Sequence, residues 1–256
     1  MPARIFYISI SFIIMTLLNN TIAEKLMPAM NYRKICFAAI LLTFALPAFP
    51  QSGAFGALKG NAIEIYNTGR QLESQGQMQE AETWYSQAVK ICNDEISQNN
   101  ANRDTYTALT WTLLRQKKYS DVITWGERGL RIYADEYRIL ETMGEAFFYL
   151  EDYESSLRYM QRYANLMPRG DRVSVAYFFA GEIYRIQQKF RLADMAYSTA
   201  VKLQPEIALW WYRLGLVRES CGEPVPAADA YGQAIKLSPG YQAAADGLAR
   251  VRKAAQ

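Results

Sequence analysis

From about residue 62 onward, apolar residues recur three and four positions apart, pause over a few polar residues, and then resume. That spacing describes amphipathic helices joined in pairs by short turns. The paired pattern recurs in five units of 34 residues, at 62–95, 103–136, 137–170, 174–207 and 208–241. Polar or charged insertions separate units at 96–102 and 171–173, and Asn99 to Asn102 reads as a loop. One helical pair cannot cover its own apolar face, so neighbouring pairs must stack. Residues 242–256 are alanine-rich and end on Arg250, Arg252 and Lys253, as expected of a terminal capping helix with Leu248 and Val251 facing inward.

Small and aromatic residues punctuate each unit. The fifth reads Trp211-x-x-Leu214-Gly215, then Gly222, then Ala227-x-x-x-Tyr231-x-x-Ala234, and closes at Pro239. The fourth carries Tyr177, Gly181, Tyr184, Ala193, Tyr197, Ala200 and Pro205; the third carries Leu140, Gly144, Phe147, Ser156, Met160 and Pro168. The first keeps Gly69, Gly76, Ala81, Tyr85 and Ala88. The second departs most, with Thr110 where the others have glycine and Val122 where most have alanine. These glycines and alanines are expected where two helix backbones approach closely, and each proline is expected to stop the helix before it.

The pattern resembles the tetratricopeptide repeat (TPR) family, whose signature is W-x-x-L-G-x-x-Y, then A-x-x-x-F-x-x-A, then P. The resemblance covers 62–241 and implies an all-α, right-handed α-solenoid of about five helix-turn-helix repeats with a capping helix. It also implies a concave wall lined by the first helix of each unit. Carried over position by position, that wall takes Tyr66 and Arg70, Trp111 and Arg115, Arg138, Glu145, Phe148 and Tyr149, Phe179, Glu182 and Arg185, and Arg213. Aromatics and arginine are favoured at binding hot spots, and such a groove suits a helix or an extended peptide. The four arginines Arg70, Arg115, Arg185 and Arg213 are expected to pair acidic groups on a partner. Phe178 and Tyr212 face either the groove or a neighbouring unit, and Trp84, Trp125, Trp210 and Trp211 are assigned to the core or the outer face. The clamp by which chaperone adaptors of this family grip a terminal carboxylate is not matched: its positions hold Tyr66, Arg70, Ala108, Arg138 and Thr142.

Histidine is absent from all 256 residues, which removes the commonest general base and metal ligand. The adjacent acids Asp94-Glu95, Asp135-Glu136 and Glu151-Asp152 fall at helix ends, where solvated charge is normal, and no phosphate loop, nucleophile elbow or C-x-x-C occurs. No catalytic residue, metal site or cofactor is therefore expected. Beyond residue 50 basic and acidic side chains balance, which leaves little footprint for nucleic acid. Cys92 and Cys221 lie in distant units and are expected to remain unpaired.

Residues 1–52 have a different character. Apolar runs at about 5–18 and 35–49, the second preceded by Arg33 and Lys34, have the length of a secretory signal's apolar region. They are expected to form a leader, either cleaved or retained as an anchor, with translation starting at Met27 or Met30 and a lead-in at 53–61. Cys36 stands at the front of the second run, where it does not support lipidation. The expectation is an exported periplasmic or envelope scaffold that binds a protein or peptide; the alternative is a small hydrophobic ligand, or a transport accessory role, in the concave cavity.

Overall fold

The structure, a computed structural model, describes residues 61–254, so the expected leader lies outside the described residues. Every regular element described is an α-helix, and none is long and apolar enough to cross a membrane. Five hairpins follow one another: α1 (Ala62–Ser74) with α2 (Met78–Ser97), α3 (Arg103–Arg115) with α4 (Tyr119–Ile132), α5 (Tyr137–Tyr149) with α6 (Tyr153–Leu166), α7 (Val173–Ile186) with α8 (Phe190–Leu203), and α9 (Ala208–Ser220) with α10 (Pro224–Leu237). A last helix, α11 (Gln242–Ala254), packs against both α10 and α9. The first helices touch in succession, α1 on α3, α3 on α5 and α5 on α7, while second helices scarcely meet. They therefore form the inner layer of a TPR-type solenoid and face its concave side.

All five hairpins turn at one geometric position. Gly76, Lys117, Glu151, Gln188 and Gly222, each the fifteenth residue of its unit, adopt φ between 57° and 79°. Only two of the five are glycine, so three non-glycine residues bear the cost of the left-handed region. At the other end, the second helices of units three to five stop immediately before the residue that precedes a proline. Met167, Gln204 and Ser238 take ψ of 62°, 83° and 89°, out of the helical range that the following proline ring disfavours. Helix α2 has no such proline and runs to Ser97, two residues into the stretch assigned as an insertion. Asn102 then begins α3 with a reciprocal capping box, accepting from the backbone of Thr105, whose hydroxyl accepts from the Asn102 backbone.

At the inner-helix glycines the nearest obstacle is a side chain of the second helix. A Cβ on Gly181 would lie 2.6 Å from the Tyr197 ring, and one on Gly215 would lie 2.6 Å from Tyr231. Gly69 stands in the same relation to Tyr85, and Gly144 to Met160. In each case the bulky residue of the second helix lies across the eighth position of its unit. Tyr231 is gripped from two sides, because Gly247 of α11 would also clash with its ring at 2.6 Å.

The second unit inverts this arrangement. Thr110 takes the glycine's place, and Gly126 takes the place of the ring; Met143 of α5 fills the vacated space, its Sδ 2.5 Å from where a Gly126 Cβ would stand. Thr107, Thr110 and Thr112 are wholly buried, and each hydroxyl donates to a carbonyl three or four residues back, so α3 hides its polar groups within its own backbone.

Two stability measurements test this packing. Gly181→Ala should destabilise by about 1–3 kcal/mol through overpacking against Tyr197, whereas Gly232→Ala, in α10 with open space around it, should stabilise by up to about 1 kcal/mol; equal effects in urea titration would contradict the assignment. Gln188→Gly should raise the melting temperature by relieving about 0.5–1 kcal/mol of left-handed strain, and an unchanged or lower value would show that the turn is unstrained.

Candidate functional site

Three groups of side chains line the inner layer. At the N-terminal end Trp111 lies over Tyr66, ring centres 5.3 Å apart, and the Arg138 guanidinium stands 5.9 Å above the indole. Arg70 donates to the Tyr66 hydroxyl at 3.1 Å. Arg115 donates through Nε to Glu73 at 3.1 Å and makes a second, shorter contact to the same carboxylate. Tyr85 donates its hydroxyl to Glu73 at 2.6 Å. Burial alone would raise the Glu73 carboxyl; the bonds from Arg115 and Tyr85 outweigh it and hold the group below the usual carboxylate range.

In the middle, Tyr149 is 49% exposed and stacks on Tyr119 at 4.8 Å and 17°. Phe148 meets it edge-on at 5.6 Å, and Phe179 from the next unit meets both, at 5.0 and 6.2 Å. On the same helix as Phe148 and Tyr149, Glu141 and Glu145 are buried, and both contact Arg172, which precedes α7. At the C-terminal end Glu182 is 7% exposed and holds Arg185 at 2.9 Å, Arg213 at 2.9 Å and the Tyr197 hydroxyl at 2.6 Å. Glu219 repeats the motif, accepting from Tyr231 and from two nitrogens of Arg250 at 3.0 Å each.

The residues assigned to the wall therefore reach the inner layer in three separate clusters. Of the four arginines expected to pair a partner's acids, the structure engages Arg115, Arg185 and Arg213 with carboxylates of their own chain, and Arg70 with the Tyr66 hydroxyl and, at 3.9 Å, with Glu73. In most of these pairs the acid is buried deeper than the base. Side-chain exposure is 21% for Glu73 against 36% for Arg115, and 9% for Glu182 against 30% for Arg213. The arginine is thus the more exposed partner in both pairs.

Among the acids assigned to solvated helix ends, Glu136 is instead buried between Arg103 at 3.3 Å and Arg138 at 2.6 Å. Phe178 packs between units, stacked on Trp210 at 5.1 Å, and Tyr212 leans on Tyr231 and Tyr241. Ala108 and Thr142, two of the clamp positions, are fully buried. Sequence reasoning missed the contacts that join Tyr85 to Glu73, Arg172 to Glu141 and Glu145, Tyr197 to Glu182, and Tyr231 and Arg250 to Glu219. A signal for part of this exists: in the first and fifth units a glutamate stands twelve residues before the bonded tyrosine.

Cys92 and Cys221 are unpaired; burial first, then the Glu95 charge, pushes the Cys92 thiol up to about 12, which makes it a poor nucleophile at neutral pH. Among the described residues no group of three or more cysteine, aspartate or glutamate side chains is placed to hold a metal ion. An apolar hollow of about 370 Å³ opens between α6, α7 and α8, using Tyr177, Ala180 and Tyr184, the side of α7 turned away from Phe178, Glu182 and Arg185.

Models of the tetratricopeptide repeat match residues 61–135 and 180–242, together more than half of the chain. The chain belongs to the tetratricopeptide repeat family. Among solved TPR-like structures, TTC0263 of Thermus thermophilus superposes with a TM-score of 0.56 at 17% identity, over 74% of this chain and 98% of that one. MamA of Desulfovibrio magneticus RS-1, from its residue 41, gives 0.53 at 16% identity, over 71% and 98%. These likenesses concern the fold. A curated relative, the mouse protein O-mannosyl-transferase TMTC1, is 25% identical over 221 residues; the match takes 74% of this chain but spans only 23% of the relative's length.

The recurring tyrosine–glutamate–arginine bond is measurable. Tyr197→Phe should cost about 1–2 kcal/mol by leaving buried Glu182 one donor short. Combining it with Glu182→Gln should cost less than the sum of the single changes, since both remove one contact; strict additivity in chemical denaturation would show the bond to be incidental.

Proposed function

We propose that this protein is a non-catalytic adaptor that holds a segment of a partner protein along its concave face, in an assembly outside the cytoplasm. The observation that carries this reading is Tyr149: a large ring half-open to solvent at the centre of the inner layer, held by Tyr119, Phe148 and Phe179. A rigid aromatic on a packed base loses little entropy on contact, which suits it to anchor an aliphatic or aromatic side chain. The guanidinium edges on either side favour acidic residues flanking that anchor. Absence of histidine and of catalytic motifs supports the non-catalytic reading. The whole-length activity named for TMTC1 is not carried over, because the match spans 23% of that protein. Export rests on the apolar runs at 5–18 and 35–49 alone. A small hydrophobic ligand has less support, since the apolar hollow lies on the far side of α7 from the groove.

Peptides enriched from a random display library on the full chain provide the test. Tyr149→Ala should weaken their binding at least about tenfold, a loss of about 1.4 kcal/mol, with the far-ultraviolet circular dichroism unchanged. Undiminished binding by the folded variant would remove the groove assignment.

A further inference from the structure

Five junctions join the stacked units and the cap, and each carries an arginine–carboxylate contact. Four of them are balanced or richer in arginine. Glu73 has Arg70 and Arg115; Glu136 and Asp104 share Arg103 and Arg138; Glu182 has Arg185 and Arg213; Glu219 has Arg250. The junction between the third and fourth units differs. There two carboxylates, Glu141 at 3% exposure and Glu145 at 9%, share Arg172. Its Nε donates to Glu141 at 2.7 Å, while an Nη contacts both acids. Arg172 comes from the insertion 171–173 that breaks the 34-residue spacing, and the stretch 136–179 is where neither repeat model matches.

We propose that Glu141, Glu145 and Arg172 form a proton-loaded latch that fixes the fourth unit on the third, and that releasing one proton from the acid pair loosens this junction alone. With one proton held, one negative charge faces one guanidinium. With none held, two buried negative charges stand one helical turn apart on α5 and share a single positive charge. Burial first, then the Glu145 charge, pushes the Glu141 carboxyl well above the usual range, which is the direction such a pair requires.

The sign follows from linkage. A carboxyl whose folded value is raised contributes stability that is whole below its unfolded value and fades as pH rises through the folded one. The latch therefore weakens toward alkaline pH.

Neighbouring groups do not supply the missing charge. On α3, Asp104 and Arg103 are engaged at the preceding junction, and Arg115 is bound to Glu73. On α4, Tyr119 stacks on Tyr149. Arg138 of α5 is bound by Glu136 and Asp104, and Tyr149 lies a turn beyond Glu145, where burial raises its hydroxyl further. On α6, the Tyr163 hydroxyl accepts from the Arg172 backbone at 3.3 Å and is likewise raised, so it stays neutral. Asp171 is an exposed acid, and on α7 Glu182 is bound to Arg185 and Arg213.

The latch also reaches the groove. Phe179 belongs to α7 and walls the Tyr149 anchor, so loosening α7 withdraws one side of it. This consequence rests on the concave-face reading; the latch itself does not.

Hydrogen–deuterium exchange of the full chain between pH 6 and 9 tests the latch without any partner. Amides early in α7 are compared with those early in α9, which cancels the intrinsic pH dependence of exchange. In the native chain the α7:α9 exchange ratio should rise about tenfold or more across that range, reflecting a proton lost from the pair. In Glu141→Gln, and independently in Glu145→Gln, one carboxyl is permanently neutral and the ratio should stay flat. A flat ratio in the native chain would overturn the latch, as would an undiminished rise in either folded variant. The native profile decides alone should neither variant fold, and peptide binding is read separately through Tyr149→Ala.

Discussion

A tyrosine laid across a glycine is the contact on which much of this solenoid depends. In the first, fourth and fifth units the ring from the second helix occupies space that any side chain on the first helix would fill, which sets the closeness of the hairpin. The same ring carries a hydroxyl, and a hydroxyl leaving water needs a partner. Glu73, Glu182 and Glu219 accept it, and each in turn draws in an arginine from the next helical unit: Arg115, Arg213 and Arg250. Packing within a unit and attachment between units are thus one continuous chain of contacts.

This arrangement orders the charges along the inner layer. Glu73, Glu182 and Glu219 are each less exposed than the arginine they hold from the next helical unit, so the guanidinium is the outer partner. An arginine held this way has lost much of its side-chain freedom before any ligand arrives, which lowers the entropic cost of a further hydrogen bond.

Repeat architecture also localises departures from the pattern. In the second unit, Thr110 and Gly126 exchange bulk between the two helices, and Met143 of the following unit restores the volume. At the third-to-fourth junction, an inserted arginine faces two acids where other junctions match each acid with at least one base. Because each unit contacts chiefly its neighbours, such a change alters one joint and leaves the next unaffected.

The linear sequence determined the helical pairs, their 34-residue spacing and the glycine–aromatic positions, because helix periodicity and turn chemistry act over a few residues. The resemblance to the family put Tyr149 and Phe148 among the expected wall residues, and in the structure their rings meet edge-on. Only the tertiary structure decided what the arginines do. Arg115 lies 42 residues from Glu73 and Arg172 lies 31 from Glu141, so each pairing depends on how one unit is rotated upon another. The same rotation buried Glu136 at a helix end where the sequence pattern pointed to solvent, and turned Phe178 onto Trp210. Such pairings depend on inter-unit geometry, which no local pattern of apolar and polar residues encodes.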